Sequence, residues 1–143
     1  MISPTAKRRF EFRLDLRSGV PVYRQLIDQV LGGIASGILK PGDQLPTVRQ
    51  VAVDLEINPN TVARAYREME IRGVLDTQQG SGTFVSNQKI EQDEVERERR
   101  LAQIVSEFVA RAGAAGFTVD DLLEQLHERN PHERNNGSEK KRR

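Results

Sequence analysis

Apolar residues return at helical spacing from Val22 onward: Val22, Leu26, Val30 and Ile34 form a stripe that Ile27 and Leu31 widen. A helix that buries one face needs that period, so a first helix is predicted from Pro21 to about Gly37. Proline suits the start because a first turn leaves its N–H groups unpaired anyway. "SG" marks the end, and "ILKPGDQLP" at 38–46 forces a turn. Thr47 and Gln50 then have the spacing of a capping box, in which hydroxyl and amide each satisfy the other's backbone N–H. They open a short second helix with Val48, Val51, Ala52 and Leu55 inward, interrupted at "EIN". In the third helix Asn58 is the expected N-cap, Pro59 the first helical residue and Gly73 the left-handed stop.

The period drops to two in "VLDTQQGSGTFV", Val74 to Val85, which reads as two short strands around a Gly-Ser-Gly tip. The expected core is Leu26, Val30, Ile34, Leu45, Val51, Leu55, Val62, Tyr66, Met69, Leu75 and Phe84. Upstream, "FEFRLDL" alternates Phe10, Phe12, Leu14 and Leu16 with charged residues, as an extended piece lying along a surface does. Downstream, the mixed charges of "SNQKIEQDEVERERR" give way to an amphipathic helix carrying Leu101, Ile104, Val105, Phe108 and Val109. Thr118, with Asp121 three residues on, caps a last helix bearing Leu122, Leu123 and Leu126. The fold class expected is mainly α: a winged helix-turn-helix domain of three helices plus a two-stranded β-hairpin, followed by a two-helix dimerisation region. Its boundaries are a 1–17 arm, an 18–87 DNA-binding domain, an 88–129 dimerisation region and a 130–143 tail too polar to order itself.

A chain of 143 residues has room for one ordinary domain or a small domain with an appendage. The absence of cysteine excludes disulfides and thiolate metal sites and suits a reducing cytoplasm, the expected location. No apolar run approaches the ~20 residues that cross a bilayer, so no membrane partner is expected. "MISPTAKRRFEF" lacks the apolar stretch of a secretory signal. Net charge is only +1, so attraction to a polyanion must come from one face rather than from the total. His127, Glu128 and His132 form no helical metal face, since Pro131 separates the histidines; neither metal nor cofactor is expected.

The chemistry gathers at the start of the third helix. Asn58, Pro59, Asn60 and Thr61 make a first turn with no acidic group, which can approach phosphates and base edges closely. Arg64 and Arg67 follow on polar positions of the same helix, and Ser81 and Gly82 lie at the hairpin tip. Asn-Pro starts helices in many proteins, and Gly-Ser-Gly is by itself a turn. The order of elements gives them weight: a helical pair that can enter a major groove, then a hairpin able to reach the adjacent one.

Residues 14–86 closely resemble the DNA-binding domain of the GntR family of bacterial transcription regulators. The resemblance is carried by "GILKPGDQLP", by Arg49 three residues beyond it, by "NPNTVARAYREMEIRG" and by "GSGTFV". The "NPNTV" form, the preceding "LDLRSGVPVYRQL" and the short helical C-terminal region are similar to the YtrA-like subgroup. This resemblance implies that Arg49 contacts phosphate or a guanine edge, Asn60 and Thr61 contact phosphate and bases, and Arg64 reaches phosphate or a base. Gly82 is implied to let the wing approach the minor groove. One departure is Val48, where many relatives carry Glu or another polar residue.

The expected function is a sequence-specific DNA-binding transcriptional regulator, a homodimeric repressor of a palindromic operator in double-stranded DNA. The apolar residues of the last two helices exceed what so short an appendage hides by itself, and pairing two copies would bury them. The family commonly responds to a small-molecule effector, whose identity the sequence leaves open. A winged-helix module that binds protein is the alternative, and it would not need Arg49, Asn60 and Thr61 together. An enzyme is not expected: the chain lacks cysteine, its histidines lie in the tail, and no glycine-rich phosphate loop follows a strand.

Overall fold

Each apolar stripe becomes a helix. In the computed structural model, which describes residues 10–87 and 93–130, α1 spans Val22–Ala35, α2 Val48–Leu55 and α3 Pro59–Ile71. The expectations for residues 1–9 of the arm, for 88–92 and for the tail from 131, with His132, lie outside the described residues. The chain divides into two units, Met1–Gln88 and Lys89–Arg143.

In the first unit α3 packs on both α1 and α2. Leu26, Ile27, Val30, Val51, Val62, Ala65, Tyr66 and Met69 are buried between them, joined by Leu39, Leu45 and Leu75. Val48 is half-buried against this core, so the residue that departs from the family pattern contributes packing. The helix ends follow local chemistry. The Asn58 side chain accepts from the Asn60 N–H at 2.9 Å, Pro59 occupies the first turn, and Gly73 takes φ 75° as α3 stops. Thr47 Oγ1 accepts from the Gln50 N–H at 3.1 Å, but the reciprocal half of the box does not form. Gln50 Nε2 donates instead to Asp54 Oδ1 at 2.7 Å, an i,i+4 partner that the helix brings within reach.

The expected two-stranded hairpin is part of a three-stranded antiparallel sheet. β2 (Leu75–Gln78) and β3 (Gly82–Val85) pair as predicted, and β1 (Gln44–Leu45) adds to the other edge of β3 in the order β1-β3-β2. Gln44 lies opposite Phe84 and Leu45 opposite Thr83. Pro46, with no N–H to donate, follows β1 at once, so the strand is too short to leave an alternating signature. Of the expected core, Ile34 and Leu55 are half-buried at its margin, and Phe84 gives its place to Val85, which is buried opposite Leu75. Successive strand residues face opposite sides, and in this register Val85 takes the inward place.

The segment 10–18 is tied to α1. Phe12 is buried, Phe10 and Leu14 pack against the core, and the Phe10 and Phe12 rings meet edge to face at 4.9 Å. Leu16, expected to continue this stripe, is 82% exposed because the chain turns there. Two glutamines one helical turn apart grip the backbone. Gln29 accepts from the Arg13 N–H at 2.8 Å and donates to the Arg13 carbonyl at 2.7 Å. Gln25 accepts from the Asp15 N–H and donates to the Asp15 carbonyl, both at 2.9 Å. Side-chain amides thus reproduce the pairing a neighbouring strand would give to residues 13 and 15.

In the second unit α4 spans Glu94–Ala114 and α5 spans Val119–Arg129. The Asp93 side chain caps α4, accepting from the Val95 N–H at 3.3 Å. Thr118 and Asp121 form the full capping box expected for α5. Among the described residues of this unit only Ala112 is buried.

Candidate nucleic-acid interface

The turn between α2 and α3 fixes how the start of α3 is presented. Glu56 adopts the left-handed conformation at φ 55°, and the Ile57 N–H bonds to the Ala52 carbonyl at 3.0 Å. Ile57 packs inward, and Asn58 caps α3 immediately after it. Tyr66 braces the arrangement from within: its hydroxyl donates to the Pro46 carbonyl at 2.5 Å. Burial pushes the Tyr66 phenol well above its ordinary range, leaving the hydroxyl a permanent donor.

Asn58, Pro59 and Asn60 are exposed at the α3 N-terminus, while Thr61 is half-buried. No acidic residue occupies the first turn of α2 or of α3, so the positive end of each helix dipole is unopposed there. Arg64 and Arg67 follow Asn60 at helical spacing and are exposed with it, on the side opposite buried Val62, Ala65, Tyr66 and Met69. Arg49 is exposed near the start of α2. Among the described residues none of the three arginines makes an ion pair. The Arg64 guanidinium instead lies over the Tyr23 ring of α1, 3.9 Å from its centroid.

The β2–β3 hairpin forms the wing, with Ser81 exposed near its tip. Gly82 has φ 128°, and a Cβ there would stand 2.5 Å from Gln44 Nε2. The close approach lets Gln44 donate to the Ser81 carbonyl at 3.1 Å, holding the tip to β1. Gly82 therefore has an internal reason to be glycine, beside the implied approach to DNA. One residue pair below the wing's tip the Thr77 hydroxyl donates to Glu70 of α3 and lies 3.2 Å from the Thr83 hydroxyl, so wing and helix share a polar tie.

The structure thus brings Asn58, Pro59, Asn60, Arg64 and Arg67 together at the start and outer face of α3, sets Arg49 on α2 and places Ser81 and Gly82 on the wing. Sequence reasoning did not assign Tyr23 or Gln44. Each acts across a long stretch of chain on a partner no local period reveals. In the second unit, Leu101, Ile104, Val105, Phe108, Leu123 and Leu126 are exposed, and Val109 and Leu122 are half-buried. Among the described residues no cluster of His, Cys, Asp and Glu could hold a metal, and no helix is long and apolar enough to cross a membrane.

Comparison with known proteins agrees with this geometry. The family described as "Bacterial regulatory proteins, gntR family" matches residues 22–85. The chain is 35% identical over 110 residues to the HTH-type transcriptional regulator YhcF of Bacillus subtilis, covering 77% of this chain and 90% of that one. To the HTH-type transcriptional repressor YtrA of the same organism it is 36% identical over 116 residues, covering 81% and 89%. A solved GntR family transcriptional regulator from Listeria monocytogenes aligns with a TM-score of 0.54 at 27% identity, over 80% of this chain and 98% of that one. With the winged helix, the acid-free helix start and relatives matched over nearly their whole length, the chain belongs to the GntR family, in its YtrA-like subgroup, and is a DNA-binding transcriptional regulator rather than an enzyme.

Proposed function

We propose that the protein is a homodimeric repressor that binds a palindromic operator in double-stranded DNA. In this reading the first turn of α3 enters the major groove, Arg49 and Arg64 take phosphate or guanine acceptors, and Arg67 lies along the backbone. Asn58 and Pro59 shape the helix end, Asn60 and Thr61 contact phosphate and bases, and Ser81 and Gly82 bring the wing to the neighbouring groove. The observation that carries it is the α3 start: exposed Asn58, Pro59 and Asn60 without an acid, next to arginines that make no ion pair among the described residues.

Dimerisation rests on the second unit. Leu101 and Ile104 are each 57% exposed and Phe108 46%, at helical spacing along α4, with Val105 and Val109 beside them. Leu123 and Leu126 of α5 are also exposed and Leu122 is half-buried. A second copy would cover these side chains, and two reading heads related by a twofold axis require an inverted repeat. Repression follows the function of the relative YtrA, a transcriptional repressor.

Selection from random DNA with the purified full chain tests both halves. An enriched inverted repeat is the expected result. Enrichment of a single half-site would remove the symmetric dimer, and no enrichment at all would remove sequence-specific reading. Repression is checked by placing the enriched site in a reporter promoter, where expression of the protein should lower transcription and an increase would contradict the assignment.

A further inference from the structure

We infer that Tyr23 is a positioning residue for DNA recognition: its ring is the platform that fixes the plane of the Arg64 guanidinium on the outer face of α3. The inference rests on the DNA-binding reading of that face. Tyr23 lies in the first turn of α1 and is half-buried against the core, so its ring is anchored to the fold. Arg64 comes from α3, is exposed, and places its guanidinium 3.9 Å from the ring centroid. Among the described residues no acceptor engages it, and the Tyr23 ring is what its guanidinium lies over.

The chemistry of the pair explains why a ring serves here better than a carboxylate. Stacking uses the flat face of the guanidinium, while its five N–H donors lie in the plane and point past the ring edge. A Glu or Asp partner would occupy those donors and present negative charge to DNA. The aromatic face holds the cation through its quadrupole, adds no net charge and leaves the fork free. Arginine has many rotamers, and ordering it at the moment of binding costs entropy, so a stack that orders it beforehand removes part of that cost. A fork held in one plane bonds well only to a coplanar pair of acceptors, such as the N7 and O6 of a guanine or two phosphate oxygens. Among the described residues Arg49 and Arg67 have no such ring contact, so Arg64 is the one of the three set in advance.

The test uses the full chain and the DNA site that the wild type enriches. Tyr23→Leu, which removes the ring, should weaken binding about fivefold, the change that about 1 kcal/mol produces. Tyr23→Phe, which keeps the ring and loses the hydroxyl, should bind within about twofold of wild type on the same scale. In an Arg64→Ala background Tyr23→Leu should cause no further loss, since the platform then has nothing to hold. Wild-type affinity in Tyr23→Leu would overturn the inference while leaving the DNA-binding reading intact. An equal loss in Tyr23→Phe and Tyr23→Leu would overturn it in favour of a direct hydroxyl contact. A loss that persists undiminished without Arg64 would overturn it in favour of a general effect on the fold. Failure of the wild type to enrich any site would overturn the inference together with the reading beneath it.

Discussion

Arg49 stands near the start of α2 with its side chain exposed and no ion pair among the described residues. No bond of its side chain supports the fold among the described residues, so Arg49→Ala should leave the melting temperature unchanged while weakening operator binding about tenfold or more, within the range of one bidentate contact. Fluorescence anisotropy on the enriched site measures this, and unchanged affinity would remove Arg49 from the interface. Gly82 is the opposite case. Its φ of 128° makes any Cβ costly, and the Gln44 amide would have to swing aside and give up its bond to Ser81, so Gly82→Ala should destabilise the protein by about 1–2 kcal/mol. Adding Gln44→Ala removes the clash but not the backbone strain, so thermal melts of the double variant should recover only part of the loss. Arg49, Asn60 and Gly82 were legible in the sequence as candidates because they sit at fixed offsets within short motifs. Tyr23 and Gln44 were not, because a stack and an amide contact between distant residues leave no mark on the chain near either partner.

Helix ends show what a local pattern decides. Thr47–Gln50 and Thr118–Asp121 have the same spacing, yet only the second closes in both directions. Asp54 lies one turn beyond Gln50 and captures its amide, whereas Asp121 accepts from the Thr118 N–H at 2.8 Å and from its hydroxyl at 2.9 Å. The backbone bond, then the hydroxyl bond, hold the Asp121 carboxyl below its ordinary value. A carboxyl depressed on folding binds protons more readily when unfolded, so its contribution is complete above the ordinary carboxylate range and is lost as pH falls through the lower folded value. Amide exchange in the first turn of α5 should therefore accelerate below that range relative to the centre of the helix. Asp121→Asn should exchange faster already at neutral pH and lack this acid-dependent step. The helices were legible because burying one face imposes a period. β1 was hidden because two residues before a proline are too few to show one.

At the scale of the whole chain, the second unit stands out for what it leaves uncovered. Among its described residues only Ala112 is buried, while Phe108 and the four other large apolar residues of its stripe on α4 are exposed or half-buried. Under the dimer proposed above, Phe108→Asp should yield a monomer by sedimentation and lower operator affinity by about a hundredfold through lost avidity, with the first unit still folded. A variant that stays dimeric would place the contact elsewhere. The order of helices and wing was legible along the chain because each element carries its own signal. The anchoring of 10–18 was only half legible: alternation marked its apolar side, but the amides of Gln25 and Gln29 that grip its other edge lie on a helix whose stripe concealed them. That grip has a practical consequence. A polypeptide trimmed to begin at Val22, where the family match starts, would shed Phe12 and leave both amides without the backbone groups of Arg13 and Asp15 that they bond. Losing about 2–3 kcal/mol of aromatic burial should lower its melting temperature by about 10 °C. The smallest autonomous reading head of this protein therefore begins upstream of the sequence that identifies it.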